Sequence, residues 1–324
     1  MTRYLVGRAL QFLPTLLVVA ALAFYLIRSV ADPLAMYVQD PGMRPEDVAR
    51  LRAHHGLDRP LPMQFLYWLR DMATGDWGTS LYVQQPVFSL ILERLPNTLL
   101  LMGSAFALSL TVAVPLGIYS AVRRYSWADY LLTGAAFAAY ATPSFWLGIL
   151  LILFFNVQFS AWGLPALPAG GMYDLAAGRS FLSMVRHLIL PTLVLSVLPV
   201  TTYTRYLRSA MIEILEMDYI RTARAKGLSP RTVHVRHAFR NACAPLVALI
   251  SLDIPRLFSG ALVTEQVFAW PGMGRLFVDH AFRGDYPVLM GLVVCVAGLV
   301  ALASLIADLL YAFLDPTIRY DVRG

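Results

Sequence analysis

Long apolar stretches alternate with short polar ones along this chain, and six of them are long enough to cross a lipid bilayer. A helix needs about 20 mostly apolar residues to span roughly 30 Å of hydrocarbon. The six stretches lie at roughly 9–30, 98–121, 131–157, 188–207, 242–264 and 287–313. Membrane β-strands would be only about 9–11 residues long, and backbone groups in lipid must be paired internally. The pattern therefore predicts an all-α membrane protein with six transmembrane helices.

The composition supports this prediction and excludes two other classes of protein. Of the 324 residues, 58% are hydrophobic and 14% are charged, and the mean hydropathy is +0.61. A soluble domain typically carries about 25% charged residues, so this chain has too little polar surface for a water-soluble globule. Disorder requires low hydrophobicity and high charge, which is the opposite composition.

The basic residues predict how the six helices are oriented. With the N- and C-termini in the cytoplasm, 14 of the 26 basic residues fall on the cytoplasmic side, as the positive-inside rule requires. The net charge of +6 is then a topology signal, and we expect no nucleic-acid binding. A cleaved signal peptide is the alternative for the N-terminus, but the first apolar run is longer than the roughly 7–15 residues of such a peptide.

Two loops are long enough to carry structure of their own. Segment 31–97 reads as short helices that form a small extracytoplasmic cap. Segment 208–241, called the 208–241 hairpin below, reads as two short helices joined at residues 227–230, because Gly227 suits a helix end and Ser229-Pro230 suits a helix start. A basic and partly apolar hairpin fits either a protein partner or anionic lipid headgroups.

These loops divide the chain into four predicted parts. The first is the N-terminus with the first span at 1–30, and the second is the extracytoplasmic segment at 31–97. The third is the transmembrane core at 98–313, which includes the 208–241 hairpin. The last is a cytoplasmic tail at 314–324.

No catalytic, nucleotide or metal motif is visible in the sequence. A P-loop needs a lysine that reaches the phosphates, and the chain's only lysine, Lys226, lies in Arg-Ala-Lys-Gly, which matches no such motif. The histidines lack metalloprotease spacing, and the adjacent His54 and His55 read as a solvated pair more readily than as metal ligands. We therefore expect no catalytic residue, no metal and no cofactor in this chain.

One pair of ionisable residues lies within the predicted spans. Asp253 and Arg256 are three residues apart, so they share a helix face and can neutralise each other. The pair either lines a polar substrate path or joins two spans. An ion-coupled secondary transporter usually has more ionisable groups within the membrane and an inverted repeat, neither of which we find.

Residues 218–228 read Asp-Tyr-Ile-Arg-Thr-Ala-Arg-Ala-Lys-Gly-Leu and resemble the EAA loop of ABC-importer permeases. The general motif has Glu-Ala-Ala, three residues, and then Gly. Here those places hold Arg221-Thr222-Ala223 and Gly227, so Arg replaces the Glu and only the second Ala is kept. This departure matches the dipeptide/oligopeptide/nickel subfamily. Residues 236–242, Arg-His-Ala-Phe-Arg-Asn-Ala, are similar to that subfamily as well.

Other strings agree with this family in order and spacing. They are Thr-Pro-Ser-Phe-Trp at 142–146, Glu-Gln-Val-Phe-Ala-Trp-Pro-Gly-Met-Gly-Arg-Leu at 265–276, Asp-Tyr-Pro at 285–287 and Asp-Pro-Thr-Ile-Arg-Tyr at 315–320. The Gly-Asp-Trp-Gly-Thr-Ser string at 75–80 and the long first outer segment resemble the first, B-type permease of such systems. Asp253 and Arg256 depart from the family's pattern, where Gly, Leu and Gln would be expected.

The resemblance implies the type I ABC importer permease fold in a bacterial cytoplasmic (inner) membrane. It implies a second homologous permease, two ABC ATPase subunits carrying ATP and Mg²⁺, an extracytoplasmic substrate-binding protein and membrane lipid as partners. In the family, the hairpin docks into a groove of the ATPase and transmits its closure to the spans. The matching residues are Asp218, Tyr219, Arg221, Thr222, Ala223, Arg224, Ala225, Lys226, Gly227, Leu228 and His237.

The expected cargo is a di- or oligopeptide that crosses between the two permeases by alternating access. A peptide needs a polar, water-filled path. Candidate lining residues are Thr201, Thr202, Tyr203, Asp253 and Arg256. Within the same family the alternative cargo is nickel or another small solute, and an ion-coupled secondary transporter is the alternative class.

Overall fold

A computed structural model describes residues 2–30, 34, 38, 42–54, 56–174 and 178–314. Apart from one isolated β-bridge between Thr79 and Pro86, the regular structure of these residues is helical. In chain order the helices are α1 (Thr2–Val30), α2 (Pro45–His54), α3 (Leu61–Ala73), α4 (Val87–Val122), α5 (Trp127–Ala141), α6 (Ser144–Ile152), α7 (Phe181–Leu215), α8 (Asp218–Ala225), α9 (Arg240–Asp253), α10 (Arg256–Ser259), α11 (Leu262–Val267), α12 (Met273–Arg283) and α13 (Tyr286–Leu314). A π-helical stretch, Leu153–Gln158, and a short α-helical turn, Phe159–Ala161, continue α6. Another π-helical stretch, Thr232–Phe239, leads into α9.

Six helical segments among the described residues are long and apolar enough to cross a membrane, which confirms the predicted number. They are Gln11–Ser29, Val87–Val122, Ser144–Ala161, Phe181–Leu215, Thr232–Ser259 and Tyr286–Leu309. The second and fourth contain 36 and 35 residues, so at about 1.5 Å per residue each is longer than a bilayer requires. These two helices therefore continue beyond the hydrocarbon layer, which the apolar pattern alone did not indicate.

The predicted third span, 131–157, is not one continuous helix. Helix α5 ends at Ala141, and Thr142 takes an extended conformation with φ −88° and ψ 120°. The residue before a proline disfavours the helical conformation, so Pro143 explains the break. The segment long enough to cross the membrane begins after it, at Ser144.

The predicted fifth span, 242–264, also differs at both of its ends. The helical segment begins at Thr232 and ends at Ser259. Gly260 follows with φ +79°, a left-handed conformation that ends the helix and that glycine adopts without strain. Residues 262–264 belong instead to the separate helix α11.

The contacts divide the chain into two compact units. The first unit comprises Met1–Pro96 and Leu276–Ala301. In it α3 packs on α1, where the ring of Phe24 lies 5.4 Å from Phe65 and 5.6 Å from Trp68, centroid to centroid. The buried Asp285 carboxylate accepts a hydrogen bond of 2.6 Å from the Ser80 hydroxyl and lies 2.9 Å from His280 Nδ1. The strings at 75–80 and 285–287 therefore meet in this unit.

The second unit, Asn97–Arg275 with Leu302–Gly324, holds the 208–241 hairpin and the third to fifth spans. Its largest apolar core joins α7 and α9 to the hairpin. The core includes Tyr203, Leu207, Met211, Ile220, Val233 and Ala238, each at most 1% exposed. The close approach of α4 to α7 relies on Gly117, since a Cβ there would lie 3.0 Å from Leu207. The hairpin is thus packed directly on the spans.

Candidate functional site

The first helix of the 208–241 hairpin buries one face and exposes the other. Ile220 and Ala223 on α8 are 0% and 7% exposed, so they anchor the helix in the core of the second unit. The other residues matched to the EAA loop on α8 and the following turn are exposed: Asp218, Tyr219, Arg221, Thr222, Arg224, Ala225, Lys226, Gly227 and Leu228. His237 is half-buried. Ala223 therefore positions the helix, while the exposed residues form its outer surface.

The turn after α8 has the geometry that the sequence predicted. Gly227 has φ +75°, and its N–H donates to the Arg224 carbonyl at 2.9 Å, while the Leu228 N–H donates to the Ala223 carbonyl at 3.4 Å. This is the Schellman arrangement of a helix end, in which glycine avoids the cost of a left-handed conformation. The Ser229 hydroxyl then accepts from the Thr232 N–H at 3.3 Å and caps the next helix. That second helix continues through the π-helical stretch into α9 and is not a separate short element.

A buried ion pair joins three helices at the base of the hairpin. Arg208 on α7 donates two hydrogen bonds, of 2.9 and 2.7 Å, to the Asp129 carboxylate on α5. The Ser120 hydroxyl of α4 and the Tyr125 N–H also donate to this carboxylate. These contacts, above all the hydrogen bond from Arg208, hold the pKa of Asp129 well below its usual range. No pattern in the sequence indicated this pair.

A second ion pair connects the loop between α4 and α5 to the start of the hairpin. Arg124 Nη1 lies 2.5 Å from the Glu216 carboxylate, and both side chains are about half exposed. An exposed pair of this kind typically contributes little stability. The buried Asp129–Arg208 pair is therefore the stronger connection between the hairpin region and the spans.

The structure brings together three of the five proposed path residues. The Tyr203 hydroxyl on α7 donates to Asp253 Oδ2 at 2.7 Å, and Arg256 Nη1 donates to Asp253 Oδ1 at 2.8 Å. The Tyr203 side chain is buried, whereas the Arg256 side chain is 78% exposed. Asp253 thus links two spans through Tyr203 and orients the exposed guanidinium of Arg256.

The other two path residues do not join this cluster. The Thr201 and Thr202 hydroxyls donate to the carbonyls of Val197 and Leu198, one turn earlier on the same helix, each at 3.0 Å. Threonine in a helix commonly satisfies its hydroxyl in this way.

The string at 265–276 folds around a buried carboxylate. Glu265 is 0% exposed and accepts hydrogen bonds from the Thr98 hydroxyl at 2.9 Å and the Arg275 N–H at 3.0 Å. Burial raises the pKa of Glu265, and the hydrogen bonds to its carboxylate partly oppose this. Gly272 lies so close that a Cβ would be 2.4 Å from the carboxylate. The glycines of the string therefore let the backbone wrap closely around Glu265.

Within the part of the chain that the structure describes, no group of three or more His, Cys, Asp or Glu side chains is arranged to hold a metal ion. His55, which was considered as part of a histidine pair, lies outside the described residues. The family string at 315–320 and the predicted tail after residue 314 also lie outside them.

Comparison with known proteins identifies the family. Residues 113–320 match the binding-protein-dependent transport system inner membrane component, and residues 1–102 match the N-terminal region of such membrane components. The oligopeptide transport system permease protein AppB of Bacillus subtilis is 42% identical over 322 residues, covering 99% of this chain and 100% of the relative. The dipeptide transport system permease protein DppB of Escherichia coli is 35% identical over 341 residues, covering 99% of each chain. The chain is thus a multi-pass permease of the inner membrane and belongs to the family of binding-protein-dependent transport system inner membrane components.

Proposed function

We propose that this chain is one of the two permease subunits of an ATP-driven importer for di- or oligopeptides. The observation that carries the proposal is similarity over the full chain to two relatives named as oligopeptide and dipeptide permeases. A second, homologous permease would complete the path, and an extracytoplasmic binding protein would deliver the peptide. Lipid would surround the six spans.

Two partner ATPase subunits would supply the energy, with ATP and Mg²⁺ bound to them and not to this chain. The support is the form of the hairpin. Helix α8 and the turn after it present the cations Arg221, Arg224 and Lys226 outward, while Ile220 on α8 is fixed in the core. A partner that moves α8 would therefore also move the spans, because α8 packs on the same core as α7 and α9.

Tyr203, Asp253 and Arg256 would form a polar part of the path. The exposed Arg256 guanidinium, held by Asp253, gives a peptide carbonyl or carboxylate a hydrogen-bond donor. Thr201 and Thr202, which precede Tyr203 on α7, would also belong to the path, with their hydroxyl protons already donated to carbonyls of the same helix.

The test is transport by the complete complex in proteoliposomes, measured with a radiolabelled dipeptide and the binding protein. We expect accumulation that requires ATP hydrolysis and stops with a non-hydrolysable ATP analogue or when this chain is omitted. Uptake driven by a proton or sodium gradient without ATP would contradict the proposed class. Accumulation of Ni²⁺ and not of peptide would keep the class and overturn the cargo.

A further inference from the structure

A cavity of about 500 Å³ lies in the second unit between the loop that follows the third span and the first turns of α7. Ligand sites typically measure about 300–1,000 Å³, so the volume suits a peptide of a few residues. Leu167, Pro168 and Leu182 contribute apolar wall, and Arg186 and His187 contribute polar groups. The residues that line it are different from those of the Tyr203–Asp253–Arg256 cluster.

Hydrogen bonds hold the wall of the cavity in place. The Leu167 N–H donates to the Phe155 carbonyl at 3.0 Å, and the Asn156 amide donates to the Leu167 carbonyl at 2.7 Å. Further along the loop, the Gly171 N–H donates to the Phe268 carbonyl at 2.8 Å, and the Asp174 N–H donates to the Ser183 hydroxyl at 2.8 Å. A cavity fixed in this way loses little entropy when a ligand enters.

His187 presents a hydrogen-bond acceptor to the cavity. Its side chain lines the cavity although the residue is only 7% exposed. Its Nδ1 lies 2.8 Å from the Ser183 carbonyl, which can only accept, so Nδ1 carries the hydrogen. In the neutral ring Nε2 is then an acceptor, and the hydrogen bonds of the described residues leave it without a partner. This nitrogen is therefore free to accept a hydrogen bond from a ligand in the cavity.

Arg186 presents a positive charge beside this acceptor. One of its terminal nitrogens donates to the Ala166 carbonyl at 2.8 Å, which orients the guanidinium along the loop. Its side chain forms no ion pair with a carboxylate in the described ranges, and it retains further N–H donors in a planar fork. A carboxylate is an anion that this fork can bind with two parallel hydrogen bonds.

We infer that this cavity binds the C-terminal end of a short peptide, with Arg186 holding the carboxylate and His187 Nε2 accepting the N–H of the last residue. The inference rests on the proposed function, and it names a site where the permease itself contacts the peptide. Asp174 also lines the cavity, so the cavity carries charges of both signs, as a zwitterionic peptide does. The apolar wall accommodates side chains of different shapes, which suits a broad range of peptides.

The experiment measures binding of labelled Ala-Ala and of its C-terminal amide to the purified complex of both permeases and both ATPases, without the binding protein. We expect the unmodified complex to bind the free acid about tenfold or more tightly than the amide, since hydrogen bonds to a charged group are lost with the carboxylate. Arg186→Gln should remove this preference, and Arg186→Lys should restore part of it. Arg179→Gln is the matched control, because it removes a nearby exposed cation that does not line the cavity.

Equal binding of acid and amide by the unmodified complex would overturn the inference without any variant. A preference that survives in Arg186→Gln would overturn it as well. ATP-driven uptake of Ala-Ala by the same preparation separates this failure from failure of the proposed function. If uptake proceeds while either of these binding results is found, the peptide-importer assignment stands and only the site is wrong.

Discussion

Replacing Asp129 with Asn tests whether the buried ion pair holds the base of the 208–241 hairpin to the spans. Asp129 is 3% exposed, and it receives two hydrogen bonds from Arg208 as well as one each from Ser120 and the Tyr125 N–H. The substitution keeps the shape of the side chain but leaves the Arg208 cation, itself 25% exposed, without a counter-charge.

The burial of the pair sets how much the substitution should lower the free energy of unfolding. Breaking a fully buried pair by removing one partner costs about 3–5 kcal/mol, and the partial exposure of Arg208 lowers our expectation to about 2–4 kcal/mol. The free energy of unfolding would be measured in detergent by chemical denaturation. Asp47→Asn is the control, because Asp47 pairs with Arg50 at 3.0 Å on the exposed helix α2, where a pair contributes at most about 1 kcal/mol.

The contribution of Asp129 to stability should depend on pH in one direction only. The pKa of Asp129 is lowered in the folded chain, so its contribution is fully present above the unfolded value of about 3.9 and is lost as the pH falls through the folded value. The difference in stability between the unmodified chain and Asp129→Asn should therefore be constant from about pH 7 to 5 and shrink only below about pH 4. A cost no larger than that of Asp47→Asn, or a difference that already disappears near pH 6, would refute the reasoning.

Two further substitutions test other contacts by the same measurement. Gly272→Ala should destabilise the chain, because the new Cβ would lie 2.4 Å from the buried Glu265 carboxylate. The control is Gly103→Ala on α4, where no atom lies within 4 Å of the new Cβ, and it should be neutral or stabilising. Equal effects of the two substitutions would contradict the close wrapping of the string at 265–276 around Glu265. Tyr203→Phe removes the hydroxyl that donates to Asp253 and should lower the free energy of unfolding by about 1–3 kcal/mol. The control, Tyr206→Phe at an exposed position, should lower it by less than about 0.5 kcal/mol. A loss for Tyr203→Phe as small as that of the control would show that the hydrogen bond between the two spans is unimportant.

The sequence predicted the number and type of the membrane-spanning elements because each depends on local apolar content. It also predicted the turn at Gly227, because the glycine, serine and proline residues that indicate this turn lie within four consecutive positions. It placed the third span wrongly because counting apolar residues ignores the effect of Pro143 on Thr142. The long extension of α4 before residue 98 was hidden because its outer part contains charged residues and is not apolar throughout.

The contacts at the candidate sites depend on residues far apart in the chain. Tyr203 and Asp253 were both named from the sequence, but no local pattern indicates that they form a hydrogen bond across 50 positions. Arg208 and Asp129, separated by 79 positions, appeared only as two charges on the predicted cytoplasmic side. One local signal was present, since Ser126 caps α5 and accepts from the Asp129 N–H, which places this carboxylate in a first helical turn. The cavity beside His187 had no sequence signal, because a loop and a helix start create it together.

The central claim is that separate ATPases drive this permease through the 208–241 hairpin. The direct test is the number of peptides imported per ATP hydrolysed in proteoliposomes carrying the complete complex with Gly227→Arg. A Cβ at Gly227 meets no atom within 4 Å, so a larger side chain fits at this exposed turn, although φ +75° strains the backbone of a residue other than glycine. The loss of uptake is therefore judged against a second variant that carries a side chain in the same backbone conformation. Gly227→Asn is the matched control, because Asn tolerates φ +75° and adds little bulk. We predict that Gly227→Arg inserts into the membrane normally and imports almost no peptide per ATP hydrolysed, while Gly227→Asn keeps most of the unmodified ratio of peptide to ATP. A normal ratio of peptide to ATP in Gly227→Arg would contradict the claim.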